Sequence, residues 1–234
     1  MASDPAPPAT IVKRLMRGAW RATLATTLAG QPSSAWPYAS LVLTACDTDI
    51  SPLLFLSNLA AHTANLMRAP EASILFDGTQ GLDEPLAGPR ATVLGRIEPV
   101  EDTRALDRYL RRHPSAGAYR GFGDFRLWRM TPERAHLVGG FGQIRWVEAE
   151  AFASTSATAI AQAEPALLDV LNGAGALVEA LGGRLQGGSQ WRLTGLDPDG
   201  VDLRRADGMA TRAEFPAAID DPAAIMPALE ALVA

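Results

Sequence analysis

The spacing of apolar and polar positions changes several times along the chain. In residues 10–19, TIVKRLMRGA, Ile11, Val12, Leu15 and Met16 recur at helical intervals. Thr10 stands where an N-cap belongs, and Gly18 marks the expected end. The pattern then shortens. ATLATTL (22–28) and PYASLVLTA (37–45) read as strands, joined through turn-forming Ala29-Gly30-Gln31-Pro32 into an early hairpin. LLFLS (53–57) is a third apolar run. HTANLMRAP (62–70) reads as a helix stopped by Pro70, and ASILF (72–76) as another strand.

After a Gly- and Pro-bearing loop, ATVLGRIEPV (91–100) resumes the strand pattern. Gly95 inside it predicts a bulge or a close backbone approach. Residues 101–113, EDTRALDRYLRRH, predict an amphipathic helix with Leu106, Tyr109 and Leu110 on one face. Arg104, Arg108, Arg111 and Arg112 line the rest, interleaved with acids, and read as a solvated face. FRLWRM (125–130) and RAHLVG (134–139) read as two strands around Thr131-Pro132, followed by a glycine-rich GGFG loop (139–142). Short strands with a few helices between them fit an antiparallel, barrel-like sheet, not a doubly wound fold.

Further on, AEAFASTSATAIAQA (149–163) is small and polar enough for a linker. EPALLDVLNGAGALVEALGG (164–183) is an Ala/Leu helix or helix pair, interrupted at Gly173 and Gly175. Residues 189–215 read as three strands joined by Asp-Pro-Asp-Gly and Asp-Gly turns, and 221–233 as a closing helix. The expected organisation is therefore α+β: a barrel-like domain over 1–148, a linker over 149–163 and a small α+β domain over 164–234.

Charge supports that division. Residues 1–148 carry 16 basic and 14 acidic side chains, while 149–234 carry 5 and 12. An acidic C-terminal third argues against nucleic-acid binding there. A single cysteine, Cys46, excludes an internal disulfide framework and a cysteine zinc cluster. The uncharged stretch 22–46 is long enough for a bilayer but holds Gly30, Gln31, Pro32, Ser33, Ser34 and Pro37, so no membrane helix is expected. The polar, Pro-rich residues 1–9 do not read as a secretory signal, and the expected location is the cytoplasm.

Candidate chemistry is sparse. The three histidines, His62, His113 and His136, show no metal-ligand spacing, so no metal site is expected. His136 reads as a half-buried structural residue. His113 suits a helix C-terminus, where a cationic imidazole faces the dipole. Around 54–66, LFLSNLAAHTANL, a strand ends at Ser57-Asn58 and a helix begins near His62. Backbone amides at such a junction suit a phosphate, with Ser57, His62 and Thr63 as further donors. Junctions of this kind are also common where no anion binds.

The segments LFLSNLAAHTANLMRAPEASILF and DEPLAGPRATVLGRIEPV resemble the flavin-binding split-barrel proteins related to pyridoxamine 5′-phosphate oxidase. The run RYLRRHPSAGAYRGFGDFRLWRMTPERAHLVGGFG resembles the HugZ-like haem-utilisation branch of that family, and 164–231 loosely resembles the branch's C-terminal domain. The resemblance implies an FMN-binding split β-barrel with a small C-terminal α+β domain, forming a homodimer with FMN at the interface. It implies that Ser57, Asn58, His62 and Thr63 meet the FMN phosphate. The flavin ring would lie along Pro37, Tyr38, Ala39 and Ser40, with Tyr38 and Trp36 available to stack, and Arg90 would reach the ring. A guanidinium there would stabilise negative charge on reduced flavin. His62 and Thr63 stand where the oxidase itself carries an Arg-Lys pair. In the C-terminal domain, Gly175 stands where the haem branch carries the histidine of Asn-x-x-His, which leaves no histidine ligand for haem iron there. The implied function is an FMN-dependent oxidoreductase acting on a small-molecule substrate or electron donor. The alternatives are a haem-binding or haem-degrading protein, with the 104–112 arginines meeting propionates, and a non-catalytic flavin- or haem-binding dimer.

Overall fold

The computed structural model describes residues 6–28, 36–140, 143–154 and 157–234. The predicted turn at 29–32, Phe141 and Gly142 of the glycine-rich loop, and residues 155–156 lie outside the described residues. The chain divides into two compact units, one of Met1–Cys46 with Ile50–Ala153, the other of Asp47–Asp49 with Ser154–Ala234.

The first unit opens with helix α1, Pro8–Gly18. It starts before Thr10, because Pro8 fits the first helical turn, where its missing N–H costs nothing; no side chain caps it. Strands β1 (Arg21–Thr27), β2 (Pro37–Leu43), β3 (Ala45–Cys46) and β4 (Pro52–Ser57) follow, then α2 (Ala61–Arg68), β5 (Glu71–Asp77) and β6 (Arg90–Pro99). Helix α3, Thr103–Arg112, is capped by Asp102, whose carboxylate accepts the Ala105 N–H at 2.9 Å. A two-turn 3-10 segment, Pro114–Tyr119, leads into β7 (Phe125–Val138), β8 (Ile144–Glu148) and the short α4 (Ala149–Phe152).

The strands form one antiparallel sheet in the order β2-β1-β5-β6-β7-β4-β3, with β8 also on β7. Strand β7 pairs β4 over its first half and β8 over its second. The two strands expected around Thr131-Pro132 are this one continuous strand. The ladder absorbs Pro132 because β6 shifts register between Leu94 and Gly95, opposite it. The anticipated close approach at Gly95 is real: a Cβ there would lie 2.2 Å from the Thr131 carbonyl oxygen. Leu24, Ile74, Phe76, Val93, Ile97, Trp128 and Met130 fill the interior, closed by Val12 and Met16 of α1. A second cluster, with Leu53, Tyr109 and Leu127 among its members, joins α3 to the β3–β4 corner.

The arginine face of α3 is not solvated. Arg108 Nε donates to the Cys46 carbonyl at 2.7 Å. Arg112 donates to the carbonyls of Arg17 and Ala19 at 2.9 and 2.8 Å and stacks on Trp20 at 4.1 Å. Both side chains are buried. Guanidinium groups carry several donors in a fixed fork, so they serve carbonyls at a corner where the chain leaves regular structure.

The second unit holds α5 (Ala157–Gly173), α6 (Gly175–Gln186), β9 (Trp191–Asp197), β10 (Gly200–Arg205), β11 (Ala210–Glu214) and α7 (Ile225–Val233). The stretch read as a linker is helical over Ala149–Phe152 and again from Ala157, as its alanine content favours. The expected helix pair breaks at Ala174, with an 88° bend. Among the described residues no single helix is long and apolar enough to cross a membrane; this pair passes such a test only by length and composition. Ile160, Leu168, Leu171, Val178 and Leu181 of the pair instead pack on Trp191, Leu193, Leu196, Val201 and Leu203 of the antiparallel sheet β11-β10-β9. Arg212 of β11 donates to Asp197 of β9 at 2.7 and 2.9 Å and to Asp202 of β10 at 3.1 Å, joining all three strands through a buried charge cluster.

Candidate functional site

A cavity of about 290 Å³ opens in the first unit where the C-terminal halves of β2 and β4 approach the start of α2, α3, the 3-10 segment and the start of β7. Leu41, Val42 and Leu43 line it from β2, and Phe55, Leu56 and Ser57 from β4. Ala60 and His62 come from the α2 end, and Tyr109, Ser115, Ala116, Tyr119 and Phe125 from the opposite wall. Among the described residues no Lys or Arg is in this lining.

The aromatic wall is continuous. Phe55 meets Tyr109 at 6.0 Å and Phe125 at 5.3 Å between ring centroids. Tyr119 stacks on Phe125 at 4.8 Å with planes 13° apart. Tyr109 donates to the Leu43 carbonyl at 3.4 Å, and burial pushes its phenol well above the ordinary range. The run His-Pro-x-Ala-x-x-Tyr-x-x-Phe-x-Asp-Phe, from His113 to Phe125, supplies Tyr119 and Phe125, two of the four rings of this wall. It carried the family resemblance, yet sequence reasoning assigned its aromatics no role. Aromatic residues spaced through a segment with little helix or strand periodicity were the available signal.

The strand-to-helix junction is tightly tied. Ser57 Oγ donates to Asp124 Oδ2 at 2.6 Å and accepts the Leu59 N–H at 3.1 Å. Thr63 Oγ1 donates to the Ser57 carbonyl at 2.7 Å and is buried. The Asn58 N–H donates to the Asp124 carbonyl at 2.7 Å, and the Thr63 N–H to the Ala60 carbonyl at 3.0 Å. His62 is half-buried, and desolvation lowers its pKa below the usual imidazole value, which favours the neutral ring. Of the expected phosphate ligands, Ser57 and His62 face the cavity. Thr63 and Asn58 hold the junction together.

The expected flavin strand divides between its two faces. Its exposure alternates, so Pro37 and Ala39 share the outward face with Leu41 and Leu43, while Tyr38 and Ser40 point with buried Val42. Trp36 is exposed. Arg90 begins β6, paired with Asp77 and Val138 at the end of the sheet that holds Leu43 and Arg21, away from Pro37 and Thr27. Its guanidinium donates to the carbonyls of Leu86 and Gly88 at 2.9 and 3.2 Å. Within one chain, Arg90 and the Pro37–Ser40 segment are therefore not brought together.

The other two histidines lie elsewhere. His113 caps α3, but its ring is buried, with Nε2 2.8 Å from the Thr44 carbonyl and an edge contact to Trp20 at 5.7 Å. His136 is half-buried, as expected, and meets Trp146 at 4.7 Å.

A site for FMN needs cations or free donors around a phosphate dianion. Here the hydroxyls of Ser57 and Thr63 are spent on protein acceptors, the Asp124 carboxylate adds negative charge, and the imidazole favours its neutral form. These residues fit the phosphate poorly. The apolar and aromatic lining of the cavity suits a ligand with a large apolar surface.

Residues 4–154 match the family model described as CREG, beta-barrel, and the chain belongs to this family of split β-barrels. The non-canonical heme oxygenase HOZ, chloroplastic, of Arabidopsis thaliana is 34% identical over 113 residues, covering 47% of this chain and 34% of HOZ. The chain thus spans about a third of the length of that curated relative. Among solved structures, the protein Atu2129 of Agrobacterium tumefaciens, described as of unknown function, aligns over 98% of both chains with a TM-score of 0.79 and 24% identity. A heme binding protein from Mycobacterium smegmatis aligns over 98% of this chain and 97% of its own, with a TM-score of 0.58 and 27% identity.

Proposed function

We propose that this chain binds haem in the aromatic cavity and belongs to the haem-handling side of its family, with haem ranked ahead of FMN as ligand. The observation that carries this reading is the lining itself: Phe55, Tyr109, Tyr119, Phe125, Leu41 and Leu43 line one cavity together with His62, and among the described residues no Lys or Arg joins them. The names of HOZ and of the Mycobacterium smegmatis protein support the same ligand class.

Haem, when bound, supplies a redox-active iron. The chain's own residues supply the rest. The aromatic wall would remove porphyrin surface from water, at roughly 25 cal/mol per Å² of apolar area covered. The Ser57–Asp124 and Thr63–Ser57 hydrogen bonds fix the backbone at the start of α2, from which His62 reaches the cavity wall. Arg108 and Arg112 are committed to backbone carbonyls, so the idea that they meet propionates is set aside. A second copy of the chain is part of the proposal, because Leu41 and Leu43 line the cavity and are also exposed, at 73% and 44%.

Separate titrations of the purified protein with haemin and with FMN test the reading. The expected result is a saturable Soret band and no saturable change in the flavin spectrum. Saturable FMN binding with no Soret response would restore flavin as the ligand.

A further inference from the structure

We infer that His62 is the protein group that ligates haem iron in this chain, an inference that rests on the haem reading above. The chain has three histidines. His113 is buried, with Nε2 against the Thr44 carbonyl and its ring between Trp20 and Tyr109. His136 sits on β7, paired with Thr92 and Trp146, and takes no part in the cavity wall. Only His62 has an imidazole in that wall.

The other metal-binding side chains narrow to one competitor. Cys46 is buried, with Sγ 3.3 Å from the Met16 carbonyl, and lies outside the cavity. Among the described residues no methionine lines the cavity. Among the oxygen donors in the wall, Ser57 and Ser115 are neutral alcohols, not a usual ligand type for haem iron, and Tyr109 is buried against the Leu43 carbonyl. Tyr119 is the competitor: it is in the wall and 44% exposed, and a tyrosine oxygen can ligate haem iron. Against it, the Tyr119 ring is stacked nearly parallel on Phe125 at 4.8 Å, a contact that limits the positions its phenol oxygen can take. Imidazole nitrogen is also the better neutral donor for iron.

The local structure holds His62 in place. It is the second residue of α2, and the neighbouring Thr63 and Leu66 are buried. The Thr63 hydroxyl ties the first turn to the end of β4. With its backbone fixed by the helix and by a hydrogen-bonded turn, His62 has only its side-chain rotamer left to order on binding iron.

The test is haemin titration of the full chain as wild type, His62→Ala, His62→Gly and Tyr119→Phe. Soret position, ferric spin state by EPR, and the iron–histidine stretch of the ferrous form by resonance Raman are recorded. His62→Ala should lose the iron–histidine stretch and weaken haemin by about tenfold or more. Added imidazole should restore the wild-type ligation spectrum to His62→Gly, a rescue that a folding defect would not allow. Tyr119→Phe should leave that spectrum unchanged. A wild-type spectrum in His62→Ala, or a changed spectrum in Tyr119→Phe alone, overturns the assignment while leaving haem binding intact. Absence of any Soret response from the wild type defeats the haem reading itself and this assignment with it.

Discussion

At the scale of single residues, the sharpest constraint in the barrel is Gly95. Its neighbour across the ladder is Pro132, and the Thr131 carbonyl oxygen fills the space where a side chain would begin. Gly95→Ala must push β6 from β7 at the register shift. The expected cost is about 1–3 kcal/mol, read as a lower denaturation midpoint in urea with an unchanged slope. A second residue-scale consequence concerns acid. The Arg205 guanidinium, 2.5 Å from Asp207, and the Met209 N–H hold the Asp207 carboxyl down at about 2. In the unfolded chain it returns to about 3.9. A depressed carboxyl stabilises the fold above the unfolded value, and that contribution is lost as pH falls through about 2. The pair is solvent-exposed, so its weight is small. Carboxyl-detected NMR should find Asp207 titrating near 2, and Arg205→Gln should move it back towards the ordinary aspartate value.

At the scale of elements, the second unit depends on the charge cluster that joins its three strands. Arg212→Leu would leave Asp197 and Asp202 buried without their shared cation, at a cost of about 3–5 kcal/mol. Replacing all three by apolar residues of similar volume should recover much of that stability, because the charges then no longer need compensation. Chemical denaturation of the two variants separates these outcomes. Most element boundaries were legible in the sequence, since they rest on local spacing and on Gly and Pro positions. The Gly95 bulge, the strand–helix junction at Ser57–His62 and the break before Gly175 all follow from residue types. The misreadings came from tertiary context. Thr131-Pro132 looked like a strand boundary because the compensating bulge lies on another strand. Arg108 and Arg112 looked solvated because the carbonyls they satisfy belong to residues far away in the chain. The cavity was half-legible: Ser57 and His62 were found by their junction. Phe55, Tyr109, Tyr119 and Phe125 come together only through the packing of α3 and β7 on β4.

At the scale of the whole molecule, no strand among the described residues pairs the outer edge of β2. β2 ends the strand order, and its sequence, PYASLVL, carries no charge. Strand edges left open in solution usually carry charges, prolines within the strand or bulges that block pairing. Here Leu41 is 73% exposed and Leu43 44%, and Leu59 and Trp36 are exposed as well. Some of the same side chains line the cavity, so a second copy laid over this face would bury the edge and wall off the ligand together. Two consequences follow from that coupling. The chain should sediment as a dimer at micromolar concentration, and Leu41→Glu should make it a monomer, while Met209→Glu, an exposed position of the second unit, should not. Haemin affinity should also fall on dilution through the dimer dissociation range, because a ligand that binds the assembled form draws the equilibrium towards it. Sedimentation velocity, run with and without haemin, reads both effects. A wild-type monomer at all concentrations would mean that the β2 edge is tolerated bare and that one chain holds its ligand alone.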